Sequence, residues 1–287
     1  MIKQYKIGIV GQGFVGTAIR KGFKEYYHNL FFYDKDMSKS NTESLTDLCH
    51  KTDILFVCLP TPMTEEGECY TGIVEGVIYE IDKIAESLNR KTIIIKSTIP
   101  PGTTELINSK VSNIDVTFNP EFLTEANSVE DFKNQDRIIL GGHSKNFEEI
   151  QNLFSQVFTD VPIIATSSST AEIVKYTTNT FLSTKVSFAN EIKLICDSVG
   201  INYDEMIKIA TLDKRLGSSH WAVPGPDGRK GFGGSCFPKD LQALIYFSSS
   251  IGLSPVLLKS VWEKNLDVRP EKDWEKLLGR AVVNDNK

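Results

Sequence analysis

With 287 residues, 40% of them apolar, and a net charge of −5, the chain can bury a full hydrophobic core and is expected to form two domains rather than one. No run of about 18 apolar residues occurs and the opening Met1-Ile2-Lys3-Gln4-Tyr5-Lys6 lacks the long hydrophobic region of a secretion signal, so neither a helical membrane span nor secretion is expected and the expectation is cytoplasmic. The acidic balance gives no support to nucleic-acid binding, and the five cysteines, Cys49, Cys58, Cys69, Cys196 and Cys236, contain no CxxC pair, so neither a metal site nor a disulfide framework is expected.

Lys6 to Val10 reads as a short strand and leads directly into Gly11-Gln12-Gly13-Phe14-Val15-Gly16, ahead of a helical pattern from Thr17 to Tyr26. Strand, GxGxxG and helix in that order form the context of a dinucleotide fingerprint. Its glycines permit a tight turn and close approach of a pyrophosphate to a helix N-terminus. A second apolar run, Leu30 to Tyr33, ends in Asp34, 18 residues after the last glycine. A carboxylate there accepts hydrogen bonds from the ribose hydroxyls of NAD and repels the phosphate of NADP, although Lys35 leaves a small opening for the latter.

Further apolar runs at Ile54 to Leu59, Thr92 to Ile95, Val116 to Phe118, Ile138 to Leu140 and Pro162 to Ala165 alternate with helical patterns such as Ile73 to Leu88 and Phe147 to Phe158. Continuously apolar strands are buried on both faces, so the expected fold is α/β, a doubly wound Rossmann-type parallel sheet over residues 1–167. Ligands of such sheets bind beyond the carboxyl ends of the strands. That rule selects Pro60-Thr61-Pro62, the segment Lys96 to Thr104 with Ser97 and Thr98, and Asn119 to Ala126. In the last of these, Glu121 and Glu125 share a face if Glu121 opens a helical turn. The alternative for both is a pair of helix-start carboxylates favoured by the dipole.

Ser168 begins the longest helical pattern, with Ser169 and Glu172 spaced as a capping box and Gly200 as a C-cap. About 30 helical residues span about 45 Å. That is too long for one layer on a sheet, so the helix is expected to connect the Rossmann domain to an all-helical central domain over residues 168–287. Lys175 and Asn179 are one turn apart on it, and Asn190 returns to their face; such a stripe either lines a site or meets solvent. A shorter helix follows from Tyr203 to Ala210, then a glycine-rich loop from Thr211 to Phe237, and helices from Lys239 to Ser249 and Val256 to Leu266. The charged tail from Asp267 reads as a frayed helix.

The chemistry concentrates at Gly231-Phe232-Gly233-Gly234-Ser235-Cys236-Phe237-Pro238-Lys239-Asp240. A cysteine close to a helix N-terminus and a lysine has its thiolate favoured. The alternative is a glycine-rich surface turn with an incidental thiol.

Taken together, the GxGxxG with Asp34, Thr61-Pro62, Ser97-Thr98 followed by Pro-x-Gly-Thr, Pro-Glu-Phe-Leu-x-Glu at 120 to 125, Lys175 with Asn179, and Gly-Phe-Gly-Gly-x-Cys-x-Pro-Lys-Asp resemble the UDP-glucose/GDP-mannose dehydrogenase family over about residues 5 to 266. The resemblance implies NAD as cofactor and a nucleotide sugar, UDP-glucose by analogy, as substrate of a four-electron oxidation from alcohol to carboxylate. Cys236 would be the nucleophile that carries a thiohemiacetal and then a thioester. Asp240, with Thr98 and an ordered water, would take the alcohol proton, and Glu125 or Glu121 would assist hydrolysis. Lys175 and Asn179 would stabilise the oxyanion. Gly11, Gly13, Phe14, Val15, Gly16, Asp34, Thr61, Thr98 and Glu125 would hold the cofactor. Glu121, Phe122, Leu123, Lys175, Phe232, Gly233 and Lys239 would hold the substrate, and Arg215 would reach that of a neighbouring subunit. A homodimer through the long helix is implied. Family members usually carry a third domain for which this chain has no residues, and a separate chain supplying it is one partner the resemblance allows. Two other readings stand beside it: a two-electron β-hydroxyacid-type dehydrogenase, which gives Cys236 no role, and a non-catalytic NAD-binding subunit.

Overall fold

The structure, a computed structural model, describes residues 3–142 and 147–284. The chain divides into two compact units, one made of Met1–Thr61 and Thr71–Lys175, the other of Pro62–Tyr70 and Tyr176–Lys287. The division therefore falls inside the long helix, eight residues beyond the expected boundary at 167, and a nine-residue piece of the amino-terminal half belongs to the second unit.

In the first unit, β1 (Ile7–Val10), β2 (Leu30–Tyr33), β3 (Ile54–Val57), β4 (Lys91–Ile95), β5 (Ile114–Phe118), β6 (Ile138–Gly141) and β7 (Ile163–Thr166) form one sheet in the order β2-β1-β3-β4-β5-β6-β7. The first five strands are mutually parallel. The expectation of a parallel sheet fails at β6, which meets β5 antiparallel through Phe118 and Gly141 and pairs β7 in parallel. Apolar runs record burial on both faces, and burial carries no information about strand direction.

The strand residues divide between two cores in the alternating way the pleat demands. Leu55, Val57, Ile93 and Ile95 face α2 (Leu45–Lys51), α3 (Gly72–Ala85) and α4 (Thr103–Asn108). Ile54, Phe56, Ile94, Ile7 and Ile9 face α1 (Phe14–Phe23), α5 (Ser128–Lys133) and α6 (Phe147–Ser155), where Phe23, Phe132, Phe154 and Phe158 make a chain of edge-on and tilted ring contacts.

The helix α7 (Ser168–Ser198) runs 31 residues and ends ahead of Gly200, whose φ of +73° provides the left-handed stop. Its expected capping box is not formed. The Thr170 amide donates to Ser167 Oγ at 3.1 Å, while Glu172 accepts from the Gly102 and Thr104 amides and the Thr104 hydroxyl at 2.7, 2.9 and 2.6 Å. Glu172 thus caps α4 instead of its own helix.

The second unit continues through α8 (Tyr203–Ala210), α9 (Cys236–Ser250) and α10 (Val256–Val268). The tail is not a frayed helix. Arg269 and Trp274 are buried, Trp274 packs 5.2 Å from Trp262, and the Met63 amide and carbonyl bond to Ala281 and Val283 at 2.8 and 2.9 Å. The Met63 contacts come from about 200 positions earlier in the chain, which a local pattern does not register.

Candidate active site

At the carboxyl edge of the sheet, β1 passes into the glycine turn. Gly11 has φ +89°, and a β-carbon there would lie 2.3 Å from the Cys58 carbonyl oxygen. A β-carbon at Gly16 would lie 1.9 Å from the Gly11 carbonyl oxygen. The fold itself demands these two glycines. Gly13 is different: it is the N-cap of α1 in extended backbone, and a β-carbon on it would meet nothing within 4 Å among the described residues. The first turn of α1 has neither a side-chain cap nor an acidic residue, so its amides and dipole face that space uncompensated. Gln12 Oε1, buried in the same turn, has no hydrogen-bond partner among the described residues. These features fit a dinucleotide pyrophosphate.

Asp34, at the end of β2, accepts from the Gln12 amide at 2.7 Å and the Asp36 amide at 2.9 Å. Two of its four lone-pair positions are used, leaving capacity for a ribose. Thr61 and Thr98, which follow β3 and β4, are buried.

The turn after β5 is gripped by two lysines. Lys175 Nζ lies 2.6 Å from the Glu121 carbonyl and 3.0 Å from its carboxylate, whose other oxygen accepts the Leu123 amide at 2.7 Å. Lys96 Nζ donates to Asn119 Oδ1 at 2.7 Å and reaches the Pro120 carbonyl at 3.4 Å. Burial pulls the Lys96 ammonium down to about 8, with Cys58 and Glu121 opposing the fall. Lys96 opens the second of the three segments at the carboxyl edge of the sheet, yet it has no role among the expected site residues, although a lysine closing an apolar strand at the ligand edge is a usable signal. Lys175 is buried, so the solvent-facing alternative for the stripe is overturned there. Residues 119–124 are not helical, so Glu121 and Glu125 do not share a helix face; Glu121 is buried and Glu125 exposed. The Phe122 ring lies 5.5 Å from Lys175 Nζ.

In the second unit Cys236 is the first residue of α9. That helix also begins without a side-chain cap or an early acid, so its amide dipoles favour a thiolate at the position. Asp240, 1% exposed, accepts from Asn179 Nδ2 at 2.5 Å and pairs with the Lys239 ammonium. Burial alone would lower Lys239, but the Asp240 carboxylate and the Cys69 and Cys236 sulfurs outweigh it and hold the ammonium above its ordinary value. A permanent cation thus stands one turn from the thiol. Phe232 is buried against Leu241, Val261 and Phe237. Arg215 is exposed and forked onto Asp213 of its own turn.

A sequence model of the UDP-glucose/GDP-mannose dehydrogenase NAD-binding domain matches residues 38–160, and one of the family's central domain matches 169–267. The chain is 30% identical to a UDP-glucose 6-dehydrogenase of Haloferax volcanii, over 93% of this chain and 70% of that protein. The chain belongs to the UDP-glucose/GDP-mannose dehydrogenase family. A UDP-glucose 6-dehydrogenase of Bacillus subtilis is 33% identical over 91% of this chain and 62% of its own length. The solved structure of a UDP-glucose dehydrogenase from Pyrobaculum islandicum superposes with a TM-score of 0.83 at 28% identity, over 96% of this chain and 71% of that one. Family membership makes NAD the cofactor. The central-domain match, over residues 169–267, includes Cys236 and the glycine-rich segment before it.

Proposed function

We propose that the protein oxidises the primary alcohol of a nucleotide sugar to a carboxylate, with UDP-glucose as the leading substrate because the matched relatives carry that name. The chain spans 70% and 62% of those two relatives. The observation that carries the reading is the setting of Cys236: a thiol opening an uncapped helix, with the Lys239 ammonium and the buried Asp240–Asn179 pair within its first turn and a half. A two-electron dehydrogenase of the β-hydroxyacid type gives Cys236 no role.

Bound NAD supplies the hydride acceptor for each of two oxidations. The Cys236 thiolate adds to the carbonyl carbon of the aldehyde, forming the C–S bond of a thiohemiacetal. After the second oxidation that centre is a thioester, and water breaks the C–S bond, releasing the carboxylate and returning the thiolate. Asp240, with Thr98, receives the alcohol proton, and Lys175 and Asn179 donate hydrogen bonds where oxyanion charge develops. Lys175 already spends donors on Glu121, so a substrate oxygen would share the ammonium with that carboxylate. Glu121 or Glu125 assists hydrolysis. Phe122, Leu123, Phe232, Gly233 and Lys239 line the substrate side, and Arg215 serves the substrate of a second subunit in a dimer built on α7.

The test follows NAD reduction against a panel of nucleotide sugars together with the acid formed. Two NADH per acid are expected, and Cys236→Ser abolishes acid formation. One NADH per released aldehyde, or an active Cys236→Ala variant, overturns the reading.

A further inference from the structure

The loop that delivers Cys236 is held chiefly through side chains. The Gly231 amide donates to Asn190 Oδ1 at 3.2 Å, and the Phe232 amide and carbonyl both bond to the fully buried Asn265, at 2.7 and 3.0 Å. The Gly234 amide reaches Asp273 Oδ2 at 3.4 Å. At the centre lies Arg269, 2% exposed, whose guanidinium donates to Asp273 Oδ1 at 2.6 Å, Asp227 Oδ2 at 2.6 Å and the Lys230 carbonyl at 3.2 Å.

Its plane lies flat on Gly233. A β-carbon there would stand 2.3, 2.5 and 2.6 Å from Nη2, Cζ and Nε of Arg269. Gly233 is therefore a glycine because of a side chain 36 positions later. A buried arginine with two carboxylate partners is a rigid fork, and a lysine can match neither its planarity nor its number of donors.

We propose that Arg269 is a positioning residue: seated on Gly233 and tied to Asp227 and Asp273, it fixes the chain that places the Cys236 thiol at the opening of α9. The inference rests on Cys236 being the nucleophile, but it concerns where the thiol stands and not what it attacks. Displacing a reacting group by about 1 Å costs on the order of a hundredfold in rate. A thiol moved off a helix N-terminus loses part of its thiolate preference.

Three variants of the full chain test this, Arg269→Lys, Gly233→Ala and Asp227→Asn, with iodoacetamide as the probe and the Cys236 peptide followed by mass spectrometry across pH. In Arg269→Lys and Gly233→Ala the alkylation midpoint of Cys236 is expected to rise by at least about half a pH unit. Turnover should fall about tenfold or more while the NAD dissociation constant stays within about twofold, a split that general destabilisation does not produce. Midpoints and turnover at wild-type values in folded variants overturn the proposal. Should both variants fail to fold, Asp227→Asn decides: its carboxylate is 48% exposed, so the variant folds, and a midpoint that does not rise there overturns the proposal. If the wild-type protein oxidises no nucleotide sugar, the proposed function fails, while the alkylation comparison still judges Arg269.

Discussion

The glycines at 11 and 13 carry the same letter for opposite reasons, and substitution separates them. Gly11→Ala forces a side chain to φ +89° and against the Cys58 carbonyl, so a stability loss of more than about 2 kcal/mol is expected in urea unfolding. Gly13→Ala leaves stability within about 0.5 kcal/mol, because its backbone is extended and the added methyl meets only open space. It should nonetheless weaken NAD binding by tenfold or more, on the order of one hydrogen-bonded contact, as read by calorimetric titration. Unchanged NAD affinity would mean that the space above Gly13 is not where the pyrophosphate lies. Lys96 offers a pH signature. Its folded-state value, about 8, is below the ordinary lysine value, so between the two the unfolded chain holds a proton that the folded chain has shed. The unfolding free energy of wild type minus that of Lys96→Met should therefore rise from pH 7.5 towards 10.5, by up to about 3 kcal/mol. A flat difference would show that the buried amine titrates normally.

At the scale of elements, what could be read in the sequence was what neighbours in sequence decide. The GxGxxG turn, the long helix with its Gly200 stop, and Cys236 at a helix start all depend on residues within a few positions, and each is present, although α1 and α9 open three residues ahead of the expected Thr17 and Lys239. What escaped depends on partners far along the chain: Lys96 on Asn119, Arg269 on Lys230 and Gly233, and the tail on Met63. Glu172 shows the difference most directly. Its spacing from Ser169 satisfied a local rule, yet it is spent on α4, 68 and 70 residues earlier. The Ser169 side chain has no part in the cap; Ser167 takes that place. Replacing Glu172 with Ala strands the Gly102 and Thr104 amides and a buried hydroxyl, an expected loss of about 3 kcal/mol. Amide exchange at Thr104 should quicken in step. A loss below about 0.5 kcal/mol would show that α4 needs no cap from α7.

For the whole molecule, the surface of α7 bears on assembly. Phe181, Phe188 and Ile195 on the helix, and Val199 just past its end, are 63, 53, 53 and 63% exposed, and the first three recur every seven residues. A seven-residue repeat drifts only about 20° per step around a helix, so these side chains form one apolar stripe. Burying four such side chains contributes roughly 1.5–3 kcal/mol each, enough to exceed a cost of association at the low end of about 4–15 kcal/mol. That balance supports the proposed dimer through α7, in which the exposed Arg215, paired among the described residues with Asp213 of its own turn, could be repositioned by a second copy. Light scattering should find a dimer at micromolar concentration. Phe188→Glu with Ile195→Glu should give a monomer that still binds NAD, since the dinucleotide turn belongs to the other compact unit. If only the proposed assembly brings Arg215 to substrate, that monomer loses nucleotide-sugar turnover while Cys236 keeps its alkylation rate. A wild-type chain that scatters as a monomer at ten times that concentration, or a charged double variant that stays dimeric, removes α7 as the contact.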